Sequence, residues 1–404
     1  MNNISLLLLF AICLSLYAFL NMLYIKYRER FKSLGIEVAG ITLIWRVIRK
    51  ELYPTVKVLK RLKKHGLLLD LLVVLIVLSF LLALKIYVEN LVGMLKSVMV
   101  AESPEKGIVT PIVPIIPGIT VSLSMLPMLI LVIAVAVLVH EGMHAIVGLI
   151  EGTKIKSFGV ALVFIILAPF VEIDENDFAK LKLRSKLRIL SAGVAGNVIL
   201  ALLSLLLFIY LIPVLFNVHW GLYVSHVVED MPAYEANLPN GTVIVAINGT
   251  KLGRNLSMFD YLFNSRVLLR ELSGFKKKGR VLVLTLMNPK PPYDVHNYTI
   301  IRENITQPIG VVLYPYAVLE PRNFIAKLLG PSLQTFLIWS FALNLGLAAI
   351  NATPLFITDG GKALDEFSRS KLGKLGYRVS RSVQFLFVSI VLINIIASFI
   401  LYMR

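Results

Sequence analysis

Residues 140–144 read HEGMH and lie inside an apolar stretch that runs from about Val121 to Ile150. Four residues of α-helix turn through about 400°, so His140 and His144 point to nearly the same side and can share one tetrahedral zinc ion. Glu141 lies one step round the helix, close enough to accept a proton from a water at the metal. The spacing therefore predicts a zinc hydrolase.

The apolar surroundings of this motif make its ionisable groups costly. Such side chains at membrane depth are rare, and they most often mark a functional site. The structural alternative is that neighbouring helices satisfy two histidines and that Glu141 stands between them without a role. The combination of two metal-ligating imidazoles with a potential base favours an intramembrane zinc site over that alternative.

The composition of the 404 residues indicates a membrane protein. Hydrophobic residues make up 57% of the chain and charged residues 16%, whereas soluble proteins average roughly half and a quarter. A net charge of +17 would suggest nucleic acid as a partner of a soluble protein. Here the basic residues gather in loops beside apolar segments, so we expect a lipid bilayer and no nucleic acid. Cys13 is the single cysteine, which excludes a disulfide within one chain and a cysteine cluster for metal.

Hydropathy predicts about six transmembrane helices, separated by loops of uneven charge. Basic loops remain in the cytoplasm, so both termini are expected outside. Residues 26–64 are interpreted as an amphipathic, surface-lying cytoplasmic linker, and residues 89–117 as an outer loop. The HEGMH motif falls in the last third of its span, which predicts a zinc site nearer the cytoplasm. The predicted spans are approximately Ile4–Tyr24, Leu67–Val88, Val121–Ile150, Leu187–Val214, Phe324–Ile350 and Val383–Tyr402.

The apolar segment from Ser157 to Val171 is short for a spanning helix and rich in β-branched and aromatic residues. It predicts a re-entrant β hairpin packed on protein. Open strand edges are tolerated at membrane depth only where they line a cavity. This hairpin is therefore suited to pair with an extended substrate, and Gly159 is a candidate contact.

Between Phe216 and Arg322 the hydropathy falls, and β-type runs alternate with Asn-Gly turns. The change predicts a soluble β-rich domain of about a hundred residues inserted between two spans. The predicted order of spans puts this domain outside.

The HExxH motif supplies only two metal ligands, so a third must come from elsewhere in the chain. Glu151, Glu172 and Asp174 follow at the expected cytoplasmic rim, and any of them can serve. Asp359 is a further candidate, because the Gly-Gly pair that starts at Gly360 permits a sharp turn close to a metal. The residues alone leave open whether Asp359 is a ligand or a helix cap.

Three motifs in the same order resemble the site-2 protease family of intramembrane zinc metalloproteases. They are HEGMH at 140–144, RILSAG at 188–193 with Asn197, and NATP at 351–354 followed by DGG at 359–361. The resemblance covers about Ile119 to the end of the chain and leaves the first two spans outside. One departure is Thr358, which stands where the family commonly has leucine.

The resemblance implies a role for each matching residue. His140, His144 and Asp359 would bind Zn²⁺, and Glu141 would be the general base. Asn351 matches an asparagine that helps to hold the substrate backbone. Roles in packing and hydrogen bonding are expected for Gly193, Asn197, Pro354 and Gly360.

The insert is similar to the PDZ domain found in many site-2 proteases, on the runs GLYV at 221–224, MPAYEANL at 231–238 and GTVIVAING at 241–249. An exposed strand edge near the first run could add a peptide as an extra strand or capture its carboxylate. A PDZ shell that acts only as a steric filter is an equal alternative. The candidate substrate-binding residues of the first run are Gly221, Leu222, Tyr223 and Val224.

The predicted fold is a multi-span α-helical membrane protein with a membrane-embedded β hairpin and an inserted α+β PDZ-like domain. Its parts are an N-terminal extension (1–117), a catalytic core in two segments (118–215 and 323–404) and the extracytoplasmic insert (216–322).

The predicted function is regulated intramembrane proteolysis, in which peptide bonds are hydrolysed within transmembrane helices of substrates pre-trimmed by another protease. A transporter-like protein or a catalytically silent metal-binding module is the alternative. Against it stand the lack of a visible internal repeat and the base in the HExxH motif, which metal binding alone would not need.

Overall fold

The computed structural model describes residues 3–48, 51–53, 66–99, 120–163, 166–254, 256–263, 280–330 and 332–402. The chain divides into two compact units, of which the first comprises Met1–Leu203 with Trp339–Arg404 and the second Ser204–Ile338. Both boundaries fall inside long helices, so the second unit contains the predicted insert together with the ends of the helices beside it.

The N-terminal part of the first unit contains two helices and a β hairpin. These are α1 (Asn3–Lys26), α2 (Arg28–Ser33), β1 (Ile36–Ala39) and β2 (Thr42–Ile48). The Asn21 side chain secures the hairpin turn, because its amide donates to the Gly40 carbonyl at 2.7 Å and accepts from the Gly40 N–H at 3.1 Å. The predicted surface-lying linker is therefore corrected over residues 36–48, whose β-branched and aromatic side chains favour a strand.

The central part of the first unit carries the HEGMH helix and the predicted hairpin. Its elements are α3 (Gly66–Met99), α4 (Leu126–Glu151), β3 (Ile155–Val163), β4 (Ile166–Ile173), α5 (Glu175–Lys180) and α6 (Leu183–Leu215). Helix α3 continues well past its predicted end at Val88, so the predicted outer loop from Glu89 is wrong as far as Met99. An apolar helix can extend beyond the hydrocarbon layer without a sequence break, which hydropathy alone does not reveal.

A four-stranded antiparallel sheet in the order β1-β2-β3-β4 joins the N-terminal hairpin to the predicted one. Gly159 on β3 pairs with Arg46 on one side and with Phe170 on the other. A side chain at Gly159 would collide with the Trp45 carbonyl and the Phe170 ring. Gly159 is thus enclosed by its sheet neighbours, which corrects the predicted substrate contact there. The edges of this sheet are β1 and β4.

The second unit is built round a six-stranded antiparallel sheet. The elements of this unit are β5 (Phe216–Val227), α7 (Pro232–Glu235), β6 (Val243–Ile247), β7 (Thr250–Lys251), α8 (Met258–Phe263), β8 (Val281–Met287), β9 (Val295–Ile301), β10 (Val311–Pro321) and α9 (Phe324–Leu329). The strands lie in the order β10-β5-β6-β8-β9, with the short strand β7 beside β6. Inward-facing residues that alternate along the strands, such as Leu222, Val224, Leu284 and Leu286, form the core of the unit with Ile244.

The Gly-Leu-Tyr-Val run lies in the middle of β5, an interior strand. Its residues pair with β10 on one side, and Leu222 and Tyr223 pair with Ile244 and Val243 of β6 on the other. The expectation of an exposed peptide-binding edge at Gly221, Leu222, Tyr223 and Val224 is therefore wrong. Strands on both sides already pair with Leu222 and Tyr223, and Val224 exchanges backbone hydrogen bonds with Thr242 and Gly241. Only the tertiary pairing could reveal this.

The C-terminal part returns to the first unit through α10 (Ser332–Ala352) and α11 (Asp359–Tyr402), with a backbone break in α11 at Gly373. The predicted span from Phe324 is divided, because α9 ends at Gly330 before α10 begins. Among the described residues, five helices are long and apolar enough to cross a membrane, namely α3, α4, α6, α10 and α11. The chain is therefore an integral membrane protein with a β component. The predicted first span is helical as α1, and its crossing of the membrane stays a prediction.

The packing of Gly159 generates a test. We expect Gly159→Ala to destabilise the protein by about 1–3 kcal/mol, because the added methyl group forces Phe170 or β2 to move. Gly346→Ala on α10 is the matched control, since nothing lies within 4 Å of the methyl group it adds. Thermal unfolding in detergent measures both, and equal midpoints for the two variants would contradict the enclosed position of Gly159.

Candidate metal centre

Helix α4 carries both histidines on one face. The helix has Pro127 in its first turn, where the missing N–H costs no hydrogen bond, and it ends at Gly152 in the left-handed conformation with φ 108°. His140 and His144 lie in the second half of α4, and both face Gly193 on α6. A side chain at position 193 would collide with both imidazoles, so glycine at this position leaves the room that the two rings need.

Three potential metal ligands converge at this point from two helices. The Nε2 atoms of His140 and His144 lie 3.3 Å apart. One carboxylate oxygen of Asp359, the first residue of α11, lies 3.1 and 3.2 Å from them. The three side chains are only 9–12% exposed. Because zinc bonds of 2.0–2.1 Å in a tetrahedron place ligand atoms about 3.3 Å apart, this triangle fits one face of a zinc coordination sphere.

The other nitrogen of each imidazole is fixed by an oxygen acceptor on α6. The Nδ1–H of His140 donates to the Asn197 side-chain oxygen at 3.1 Å, and that of His144 donates to the Ile189 carbonyl at 2.8 Å. With the proton held on Nδ1, each Nε2 presents a lone pair toward the same point. The hydrogen-bond partner expected for Asn197 is therefore His140, one of the candidate metal ligands. The contribution of Ile189 could not be predicted from the sequence, because any residue type supplies a backbone carbonyl.

A tight turn between α10 and α11 presents Asp359. Thr358 acts as the helix cap, since its hydroxyl donates to the Thr353 carbonyl at 2.6 Å and accepts from the Gly361 N–H at 3.2 Å. The absence of a side chain at Gly360 lets the turn approach the Ala352 carbonyl. The departure from the family pattern at Thr358 thus has a structural role, and the cap leaves the Asp359 carboxylate free to face the histidines.

Glu141 lies beside the three ligands, at a cavity of about 350 Å³. Its carboxylate accepts a hydrogen bond from the Val171 N–H of β4 at 3.3 Å. The cavity is lined by Glu141, His144, Val171, Ile173, Glu175, Phe178, Ile189, Leu190, Asp359 and Lys362. A carboxylate next to a candidate metal centre, with room for water and a substrate, is the arrangement that a general base requires.

The other acidic residues considered as third ligands are engaged elsewhere. Glu151 accepts from Arg188 at 2.8 Å, and Glu172 accepts from the Ser157 hydroxyl at 2.7 Å. Asp174 caps α5, where the backbone N–H of Asp177 holds the pKa of Asp174 below its usual range. The convergence of Asp359 on both histidines makes it the best-placed third ligand among these candidates.

Two further predicted residues lie near the turn that carries Asp359. Pro354 is buried within it, and its structural role stays a prediction. Asn351 lies in the last turn of α10 and is partly exposed. Its contact with a substrate backbone stays a prediction.

Comparison with known proteins decides the family. The family model described as Peptidase family M50 matches residues 128–395, which is most of the chain. The chain belongs to this family. The M50 peptidases are the site-2 protease family, so the predicted resemblance is confirmed, although the family match does not test the PDZ assignment of the insert. The M50 peptidases are metalloproteases, and they normally use zinc.

One relative is an uncharacterized protein of Methanocaldococcus jannaschii, to which this chain is 29% identical over 258 residues. The alignment covers 62% of this chain and 56% of the relative. The chain thus spans little more than half of the relative's length, and the relative adds no information on substrates.

The ligand triangle generates a test of the third ligand. We expect Asp359→Asn to weaken zinc binding roughly tenfold or more, because a neutral amide is a poorer ligand than a carboxylate. Glu172→Gln is the matched control and should retain zinc, since Glu172 bonds to Ser157 and Arg46. Metal analysis of the purified proteins measures both. Loss of zinc from Glu172→Gln together with retention by Asp359→Asn would contradict the assignment.

Proposed function

We propose that this chain is an intramembrane zinc metalloprotease that hydrolyses peptide bonds within the transmembrane helices of membrane-anchored substrates. The observation that carries the proposal is the convergence of His140, His144 and Asp359 beside Glu141. The two helices that supply these residues are long and apolar enough to span a bilayer. Membership of the M50 family supports the same reaction.

The residues present fit a zinc ion, because two imidazole nitrogens and a carboxylate oxygen form a triangle of the right size with open space beside it. Zinc held by these three residues would supply a Lewis acid that activates water and polarises the scissile carbonyl. Glu141 takes the proton from the attacking water and delivers it to the leaving amine. Asn197 and the Ile189 carbonyl keep both imidazoles in the orientation that the reaction needs.

The edge of β4 offers a docking site for an unwound substrate. The Val171 N–H points to Glu141 and away from β3, and Ile173, two residues further on, lines the same cavity. A transmembrane helix hides its amide bonds in internal hydrogen bonds, so it must open before cleavage. The opened segment would join β4 as an extra strand, because β3 is already paired on both sides. This arrangement holds the scissile peptide beside the base.

The proposed topology has six spans, with α1 as the first, and both termini outside. Lys154 and Lys156 follow the end of α4, which supports a cytoplasmic position for that end and a zinc centre nearer the cytoplasm. The insert would then be extracytoplasmic. The described strands are compatible with a PDZ-like domain, and we propose that it acts as a steric filter.

A catalytically silent metal-binding module is the second candidate. It would need the same three ligands, but it would not need a carboxylate at the cavity beside them. The position of Glu141 therefore favours hydrolysis.

The proposed base generates a direct test. We expect Glu141→Gln to keep the fold and bound zinc but to reduce cleavage of a single-span substrate roughly a hundredfold or more, because an amide cannot accept the proton from water. Glu175→Gln, at the rim of the same cavity, is the matched control and should retain activity. The measurements are zinc content and cleavage in liposomes. Wild-type turnover by Glu141→Gln would refute the general-base role.

The steric-filter role of the insert predicts a difference between two substrates. Replacing residues 216–322 by a flexible Gly-Ser linker should raise cleavage of a substrate with a bulky outer domain and barely change cleavage of its trimmed form. The measurement compares both rates in liposomes after a check that the variant still binds zinc. An equal loss on both substrates would contradict the filter role.

A further inference from the structure

Helix α3 belongs to the N-terminal extension, which precedes the region matched by the family model. Its buried residues nevertheless recur every three or four positions along most of its length, which is the pattern of a helix packed in a bundle. They are Leu69, Leu72, Ile76, Ser79, Ala83, Tyr87, Asn90 and Met94. The N-terminal end of this stripe packs on α4 and α6, and its middle packs on α6 and α10. The part farther toward the C-terminus packs on α10 and α11. Helix α3 therefore contacts both helices that carry the metal ligands.

A network of charged groups joins the N-terminal end of α3 to the catalytic core. Asp70 accepts hydrogen bonds from Arg184 and, at 2.8 Å, from Arg188 of α6. Arg188 also donates to the Gly66 carbonyl of α3 and to Glu151 at the end of α4, each at 2.8 Å. The side chains of Arg188 and Glu151 are 9% and 2% exposed, so these charges depend on one another for compensation.

This network is directly connected to the support of His144. Arg188 is adjacent to Ile189, whose carbonyl accepts the Nδ1–H of His144. Glu151 lies two helical turns beyond His144 on α4. A shift of Arg188 would therefore move a hydrogen-bond acceptor of one metal ligand.

Farther along α3, two polar contacts reach the half of the core that carries Asp359. The Tyr87 hydroxyl lies 3.2 Å from the Thr353 hydroxyl, and both side chains are buried. The carbonyl of Thr353 accepts the hydroxyl of Thr358, the cap that precedes Asp359. Asn90 donates to Asn394 of α11 at 2.9 Å.

We propose that α3 clamps the metal centre and that Asp70 and Tyr87 are positioning residues for it. The three ligands come from two helices that are far apart in the sequence, so their separation depends on whatever joins those helices. At its N-terminal end, α3 is hydrogen-bonded to Arg188, the neighbour of the residue whose carbonyl bonds to His144. Farther along, the Tyr87 hydroxyl contacts Thr353 in the turn that precedes Asp359. The clamp rests on the proposed zinc centre.

The test is the rate at which the purified full-length protein loses zinc to a chromogenic chelator in detergent. We expect Asp70→Asn and Tyr87→Phe each to speed zinc release roughly tenfold, the scale of changes in groups that orient metal ligands. Asp70→Glu should restore much of the slow release. The matched controls are Glu89→Gln on the exposed side of α3 and Tyr210→Phe on α6, both of which should release zinc like the wild type.

Metal-free thermal unfolding separates positioning from general stability. A merely structural role would lower the unfolding midpoint of the metal-free protein and leave zinc release unchanged, and that result would overturn the clamp. Tyr87→Phe removes a single oxygen atom, so it decides the question even if Asp70→Asn does not fold. If the wild type itself holds no zinc, the proposed zinc centre fails together with the clamp. If the wild type holds zinc and the variants release it at the wild-type rate, only the clamp fails.

Discussion

The structure depends on bringing three candidate ligand atoms from two helices to within 3.3 Å of one another in apolar surroundings. Two imidazoles on one turn of helix are fixed by the geometry of that helix. The carboxylate comes from Asp359, more than two hundred residues later, and no local rule sets its distance from the histidines. The rest of the first unit therefore has to hold α4 and the start of α11 at a fixed distance and orientation.

The groups that hydrogen-bond directly to the two imidazoles, or that cap the helix at Asp359, carry no charge of their own. Asn197 and the Ile189 carbonyl orient the imidazoles, and the Thr358 hydroxyl caps the helix that begins at Asp359. Gly193 contributes space rather than an interaction. Neutral dipoles suit this position because they can orient a ligand at membrane depth without the cost of further buried charges.

The N-terminal extension, which lies outside the family match, contributes to the core in two places. Its hairpin completes the sheet on one side of β3, which leaves β4 as the edge beside Glu141. Its helix α3 packs along both halves of the ligand set. A strand edge in a membrane needs a protein partner or a cavity. The extension supplies the partner of β3 on one side, and the cavity lies beside the edge of β4.

The sequence by itself determined the long helices and the candidate ligand pair, because both depend on the spacing of residues close together in the chain. The repeat of His140 and His144 indicates a shared metal, and runs of apolar residues indicate spans wherever backbone groups must be satisfied without water. It also predicted the β hairpin from its β-branched composition. Tertiary structure alone decided which strand edges are open, because strand pairing joins segments far apart in the chain and has no local signature. For this reason Gly159 and the run from Gly221 to Val224 proved to be interior to their sheets. The family resemblance favoured Asp359 among four acidic residues, but only the packed helices place its carboxylate beside both histidines.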